Sequence, residues 1–360
     1  MLMIVRRLYF DQKPKLNRTR MAIDGLFQTL MFGVGFSLMI MLVTLCTPKP
    51  SGLINHATSP IAPVSSAPNT DIPANSIPVL AYYYIWFDNQ SWDRAKTDYP
   101  LLGRYSSDDA DVMRQHIRWA KSAGIDGFIV SWKSTEKLNR RLNQLVAIAE
   151  EENFKLAVIY EGLDFDRNPL PPQQVDADLK YFIDHYATNR VFDIFEKPMV
   201  IWSGTWKYSL DEIRNVTVAN RKDILILASE KNVEGYQRLS ELVDGDAYYW
   251  SSVNPDAHSG YLNKLIAMGN AVHKNGGIWV APVAPGFDAR LVGGTSVVER
   301  NEGETLKTEL TTALQSTPDA IGLISWNEYS ENSHVEPSQN HGDLYLKVLT
   351  ETRIVTPGTK

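Results

Sequence analysis

From Ile77 onward, short apolar stretches of strand length alternate with longer segments of helical periodicity, and the alternation runs through eight rounds. The strand-like stretches are 77–86 (IPVLAYYYIW), 125–132, 155–161, 197–203, 223–229, 243–250, 277–283 and 319–326. The helix-like segments are 108–124, 136–154, 176–187, 209–221, 232–241, 259–276, 297–316 and 343–353. In 108–124, Val112, His116 and Trp119 recur at helical spacing, with Ser107 or Asp108 as a cap and Gly124 as a stop. In 136–154, Leu138, Leu142, Leu145 and Ala149 share one face. Strand-helix-strand repeats produce parallel strands joined by helical crossovers. Eight such units in about 280 residues predict an α/β fold closed into a (β/α)8 TIM barrel over 77–355. The other solution is a doubly wound open sheet. No G-x-G-x-x-G follows the first strand, which argues against a dinucleotide-binding version of it.

The barrel is preceded by three segments of different character. Residues 1–25 carry six basic side chains (Arg6, Arg7, Lys13, Lys15, Arg18, Arg20) against Asp11 and Asp24. Residues 26–46, LFQTLMFGVGFSLMIMLVTLC, hold no charge over 21 positions, enough for a helix to cross a ~30 Å hydrocarbon core. The basic flank predicts a cytoplasmic N-terminus and an extracytoplasmic barrel held by a single-pass signal anchor. The run exceeds the ~7–15-residue core of a signal peptide, which favours an uncleaved anchor. Cleavage and lipidation at Cys46 stay open, although Leu45 stands where lipoprotein signals carry a small residue. Residues 47–76 are rich in Pro, Ser, Ala, Thr and Asn and read as a disordered tether.

Charge and cysteine content exclude several functions. A net charge of −6 with no basic face removes nucleic acid as a partner. One cysteine permits neither an internal disulfide framework nor a thiolate metal site. Nine Trp and sixteen Tyr suit a sugar cleft, where ring faces stack on pyranoses.

In such a barrel, the C-terminal ends of the strands meet at one face, so their residues can be read together. They include Tyr84 and Trp86, Ser131 to Lys133 with Trp132, Tyr160 and Glu161, Trp202 and Ser203, Ser229 and Glu230, and Tyr248 to Trp250 with Tyr249. The densest stretch follows the eighth strand: IGLISWNEYSENSHVEPS, 321–338. There Trp326 and Asn327 precede Glu328, Glu331 and Glu336. Paired carboxylates at one scissile bond divide acid and base work, because their surroundings separate their pKa values. Aromatics and acids converging on one mouth point to a carbohydrate-active site, with an α-linked oligosaccharide or polysaccharide as partner.

Metal hydrolysis fits less well. The first strand ends in YYYIW rather than an H-x-H, and His334, Glu336, His341 and Asp343 show no tight ligand spacing. No metal and no cofactor are expected. His116, His185 and His273 fall within helical segments and read as surface or packing residues.

The stretches AYYYIWF (81–87), PLLGRYSSDD (100–109), HIRWAKSAGIDGFIVSW (116–132), IYEG (159–162), DAYYW (246–250), VAPGFD (283–288) and SWNEYSENSHVEPS (325–338) together resemble glycoside hydrolase family 99, the endo-α-mannosidase and endo-α-mannanase family, or a close relative. The resemblance runs over about 77 to 350. It implies a (β/α)8 barrel that cleaves internal α-mannosidic bonds with retention and without metal. It implies that Glu328 is a base acting on the substrate's own 2-hydroxyl, giving a 1,2-anhydro sugar. Glu331 would protonate the departing oxygen and then activate water. Glu161 matches an acid near that hydroxyl, and Tyr249 and Trp132 match cleft aromatics. The sequence departs at Tyr329-Ser330, where the family usually has Trp-His, and at Lys133, where a second aromatic is frequent. Both departures bear on the glycan more than on the chemistry.

Two other classes share this pattern. One is a glycan-binding pseudoenzyme on the same barrel, since fold does not fix function. The other is a polysaccharide-assembly factor that remodels α-linked chains. The residues do not choose between mannan and glucan.

Overall fold

The computed structural model describes residues 76–355. The basic segment 1–25, the apolar span 26–46 and the tether 47–76, apart from its last residue, lie outside them. Among the described residues no helix is long and apolar enough to cross a membrane.

Eight parallel strands close into a barrel: β1 Val79–Tyr84, β2 Gly127–Trp132, β3 Lys155–Glu161, β4 Met199–Ser203, β5 Leu225–Ala228, β6 Gly245–Ala247, β7 Ile278–Val283 and β8 Ala320–Leu323. Each strand pairs with its neighbours in sequence, and β8 pairs with β1 to complete the ring. The covering helices are α1 Ala110–Ser122, α2 Glu136–Glu151, α3 Pro172–Tyr186, α4 Leu210–Asn220, α5 Val233–Leu239, α6 Tyr261–Lys274, α7 Glu304–Leu314 and α8 Leu344–Val355.

Local chemistry explains the helix limits. Asp109, rather than Ser107 or Asp108, caps α1, its side chain accepting from the amides of Asp111 and Val112. Gly124 follows with φ +76°, the left-handed turn that ends a helix. The buried face of α1 holds Met113, His116, Ile117 and Ala120, while Val112 and Trp119 are only half-buried. In α2, Leu138, Leu142, Leu145 and Ala149 are all buried, as their spacing predicts, and Thr135 caps the helix.

Strand alternation sorts the core into two shells. Leu80, Tyr82, Ile129, Ala157, Ile159, Ile201, Leu227 and Val280 fill the barrel interior. Ala81, Tyr83, Phe128, Val130, Val158, Tyr160, Val200 and Trp202 face outward into the layer shared with the helices.

Three stretches differ from expectation. The sixth strand shrinks from 243–250 to three residues, Gly245–Ala247. Its entry is tight: a Cβ on Gly245 would lie 2.0 Å from the Ile278 carbonyl oxygen, so only glycine admits this approach of β6 to β7. The eighth strand ends at Leu323, because Ser325 N–H turns away to the Ser333 carbonyl (2.7 Å). The loop after β7 contains an antiparallel pair, Phe287–Asp288 with Val297–Val298, which the sequence pattern does not signal.

Candidate functional site

Parity decides what reaches the mouth of the barrel. Continuing the inward set of each strand by one step gives Tyr84, Ser131, Glu161, Ser203, Ser229 and Tyr249. A cleft opens there, lined by Tyr84, Ile159, Glu161, Ser203, Ser229 and Tyr249 from the strand ends, with Arg167, Trp206, Lys231 and Tyr248 around them. Glu161 is buried and accepts a hydrogen bond from Ser131 Oγ (2.7 Å).

Glu328 and Glu331 come from the loop that follows β8. They are 3% and 1% exposed. The loop folds back on itself: Val335 N–H donates to the Ser325 carbonyl (3.0 Å), and Glu336 N–H to that of Trp326 (2.9 Å). Ser325 Oγ accepts from Glu328 N–H (2.8 Å), and Ser330 N–H donates to Glu328 Oε1 (3.1 Å). The loop is also pinned from outside, by Asp288 N–H to the Glu331 carbonyl (2.8 Å) and by Arg300 Nη2 to the carbonyls of Asn332 and His334 (2.9 Å each). Two carboxylates on a loop with this many backbone ties are held in fixed positions.

Between these acids and the cleft stands a tyrosine pair, Tyr84 and Tyr249, whose hydroxyls are 2.8 Å apart. Burial raises the Tyr84 phenol well above its usual range, and the charges of Glu328, Glu331 and Glu161 raise it further. Tyr249 is raised by burial, by Tyr84 and by Glu331 and Glu328. Both phenols therefore stay protonated; one donates to the other, and the second O–H of the pair remains to donate outward. The charges of Glu328 and Glu331 thus reach both tyrosines, and that of Glu161 reaches Tyr84. Lys96, from the loop after β1, joins them: burial lowers its ammonium and the Glu328 charge opposes that. No motif signals Lys96 in the sequence.

Five of the sequence-predicted residues lie elsewhere or do something else. Trp132 has the outward parity of β2. It is fully buried against Tyr160, Tyr181 and Phe182, and its Nε1 donates to Asn139 Oδ1 (2.9 Å). It packs the barrel against α2 and α3 and does not line the cleft. Trp326 is also fully buried outward, against Phe128 and His116. Glu336 is turned away from the mouth, accepting from Tyr105 OH (2.9 Å) and standing 2.9 Å from His116 Nε2. Asn327 is a tie: its Oδ1 accepts from Tyr84 N–H (2.9 Å), and its Nδ2 donates to the Tyr84 carbonyl (3.0 Å) and to Tyr105 OH (3.3 Å). Trp86 stacks on Tyr84 at 4.3 Å, backing the cleft tyrosine from the aromatic cluster behind it.

One group of potential metal ligands is present among the described residues. Asp98, His334 and His341 each place a ligand atom within 4.8 Å of the others. Glu336 and Asp343 do not belong to it; exposed Asp343 pairs with Lys347. Arg300 Nη2 approaches His334 Nδ1 (3.3 Å), and arginine can only donate, so Nδ1 accepts. His334 Nε2 then carries the proton and donates it to Asp98 Oδ2 (3.1 Å). Burial and the Arg300 charge push the His334 pKa down to about 3. The group is a hydrogen-bonded Arg–His–Asp chain with the arginine already supplying a cation, a poor donor set for a second one.

Similarity to known proteins runs through the barrel. Residues 81–346 match the model of glycosyl hydrolase family 99. The chain is 25% identical over 291 residues to a glycoprotein endo-alpha-1,2-mannosidase-like protein of Mus musculus, covering 71% of this chain and 62% of that one. It is 22% identical over 336 residues to a glycoprotein endo-alpha-1,2-mannosidase of Rattus norvegicus, covering 77% and 72%. The chain thus spans about three fifths of the mouse relative's length. Among solved structures, the GH99 endo-alpha-mannosidase from Bacteroides thetaiotaomicron superposes with a TM-score of 0.68 at 20% identity, over 78% of this chain and 97% of that one. That likeness supports the barrel fold.

Proposed function

The chain belongs to glycosyl hydrolase family 99, and we propose that it is a retaining endo-hydrolase of internal α-mannosidic, or related α-glycosidic, bonds in a glycan. Glu328 takes the proton of the substrate's 2-hydroxyl, whose oxygen attacks the anomeric carbon to give a 1,2-anhydro sugar. Glu331 protonates the departing glycosidic oxygen. It then takes a proton from the water that attacks the anomeric carbon, while Glu328 returns its proton to O2 as the C1–O2 bond breaks, so the product regains the α configuration and both acids their starting states. Glu161 holds the 2-hydroxyl, and the O–H of the Tyr84–Tyr249 pair that is not spent within the pair donates to the sugar beside it. The single observation that carries this reading is the convergence of three buried carboxylates on the Tyr84–Tyr249 pair.

The test is a screen of α-1,2-, α-1,3- and α-1,6-linked oligosaccharides, followed by proton NMR of the first product. An α-configured first product is expected on at least one linkage. A β-configured first product would overturn the mechanism, and no cleavage of any substrate would leave a glycan-binding protein. Glu331→Gln should be rescued on substrates with activated leaving groups, which need no protonation. Glu328→Gln should not be, because the 2-hydroxyl attack is still unassisted.

We further propose that the barrel is extracytoplasmic, tethered by residues 26–46 and the 47–76 linker. The uncharged run and its basic flank support this topology. Protease added to intact cells should cut within 47–76 and release the barrel. Protection until lysis would refute the topology.

A further inference from the structure

Arg300 lies between the Val297–Val298 strand and α7, and it is buried. Its Nη2 donates to the carbonyls of Asn332 and His334 (2.9 Å each) and stands 3.3 Å from His334 Nδ1. The guanidinium carbon lies 4.6 Å from the centroid of the Tyr345 ring. A Cβ on Gly286 would come within 2.5 Å of Arg300 Cγ, so the aliphatic stem runs directly over that glycine. The segment that carries Arg300 is itself anchored. Ala284 N–H donates to buried Glu309 Oε2 of α7 (2.6 Å), Phe287 pairs with Val298, and Thr305 Oγ1 donates to the Glu299 carbonyl (2.6 Å). Burying a guanidinium is costly. Here it is spent on two backbone carbonyls of the loop that carries the acids, and its link to Asp98 runs through His334.

The two acids are not held alike. Glu328 is tied from within the loop. Its N–H donates to Ser325 Oγ (2.8 Å), its Oε1 accepts from Ser330 N–H (3.1 Å), and its carbonyl accepts from Ser333 N–H (3.2 Å). Glu331 is tied from outside. Its carbonyl accepts from Asp288 N–H (2.8 Å), and the next carbonyl, that of Asn332, accepts from Arg300. Both outside ties come from the segment between β7 and α7. Where they meet the loop the chain reverses, since Asn332 has a left-handed backbone with φ +48°. That reversal and its two clamps set the direction in which the Glu331 side chain leaves the backbone. Removing Arg300 keeps the three Glu328 ties and takes away one of the two clamps beside Glu331.

We propose that Arg300 is the positioning residue of the general acid: through the Asn332 and His334 carbonyls it holds Glu331, rather than Glu328, at the bearing that delivers a proton to the departing glycosidic oxygen. It acts through the backbone and takes no part in proton transfer. A displacement of about 1 Å at a reacting group can cost about 10²-fold in rate. The loss falls on the step that needs the proton. A leaving group that departs unprotonated does not sense it, because Glu328 stays in place to assist the 2-hydroxyl. The inference rests on the hydrolase reading above and adds to it a division of labour between the two halves of one loop.

The test is kcat/KM of the full-length protein on two substrates. One is α-1,2-linked mannotetraose, or the α-1,3- or α-1,6-linked counterpart that the linkage screen selects. The other is the α-fluoride of the matching disaccharide, whose leaving group needs no proton. This ratio reports the first irreversible step, before Glu331 is required as a base. In Arg300→Met it should fall about 10²-fold on the oligosaccharide and by no more than about threefold on the fluoride. Glu328→Gln should lose both substrates alike. If Arg300→Met does not fold, Arg300→Lys, which keeps the charge and a donor without the planar fork, should show the same split at about tenfold. A residue that only stabilises the fold lowers both substrates together. Equal losses on the two substrates, or an oligosaccharide rate that stays within about threefold, would overturn the inference and leave the hydrolase standing. A parent protein inactive on both substrates would overturn the two readings together, since no acid would be left to position.

Discussion

The two sides of the barrel mouth have nearly the same composition and opposite uses. Facing inward, Tyr84, Glu161 and Tyr249 meet Glu328 and Glu331 around a cleft. Facing outward, Trp132 and Trp326 fill the shell under the helices, and Glu336 is absorbed by Tyr105 and His116. Aromatics and acids occur on both sides, within a few residues of each other. What separates them is strand parity for the strand residues, and hydrogen-bond partners for the loop acids. Glu336 has two side-chain partners fixed from other elements. Glu328 accepts from the Ser330 backbone amide, and its charge acts on Lys96 and the tyrosine pair. An acid whose hydrogen bonds are met by the scaffold is structural, while one aimed at titratable neighbours beside a cleft can do chemistry.

The sharpest way to break this comparison is at Trp132. Trp132→Ala should cost about 3–5 kcal/mol of stability in a denaturant titration, as expected for a buried tryptophan that leaves a cavity. Glycan affinity per folded molecule should not change. A variant that keeps its stability but loses affinity would return Trp132 to the cleft. Glu336→Ala comes next, at about 3 kcal/mol, because it leaves Tyr105 OH and His116 buried without their acceptor. Its kcat on an α-glycan should fall far less than that of Glu328→Gln. An equal fall would join the two acids into one catalytic unit.

On the inward side, Glu328→Gln should lower turnover by ~10²-fold or more, about 2.7 kcal/mol, with an unchanged melting temperature. Loss of stability in step with activity would make Glu328 another scaffold residue. The most gradual effect concerns pH. Buried His334 stays neutral in the folded protein down to about 3, whereas an unfolded histidine titrates near 6.5. Between those values only the unfolded chain takes up the proton. Stability is therefore complete above about 6.5 and falls with pH through the window, by ~1.4 kcal/mol per unit. Burial raises the Asp98 carboxyl, but the hydrogen bonds from His334 and from the Asn340 amide help to offset this and hold it well below its usual range, so its own loss begins only in stronger acid. His334→Gln should flatten the slope between pH 6.5 and 4. An unaltered slope in urea titrations would show that other groups set the acid limit.

Much of this was legible in the chain. The βα alternation gave all eight strands, and 321–338 held the two central acids. Tyr84, Glu161 and Tyr249 were readable as strand ends. Trp132 was misplaced because neighbouring residues at a strand end point to opposite faces and were taken as one set. Ile159 and Glu161 are two apart and face one way; Ser131 and Trp132 are adjacent and face opposite ways. Applying that rule would have removed Trp132. Trp326 and Glu336 are harder, because they lie beyond the last ladder residue, where the chain bends and no period applies. Lys96 and Arg167 come from loops, whose placement depends on contacts distant in sequence.

The Asn327–Tyr84 tie joins residues 243 positions apart. It sits beside the β8–β1 seam, the contact that closes the ring. A chain emerging N-terminus first thus carries Tyr84, Glu161 and Tyr249 long before it has Glu328 or Glu331. Because the seam requires the longest loop closure in the barrel, it is entropically the costliest to form. On the mechanism proposed above, in which Glu328 and Glu331 do the chemistry, competence is then coupled to completion of folding: a nascent or partly folded barrel lacks both acids in place until the last strand closes the ring.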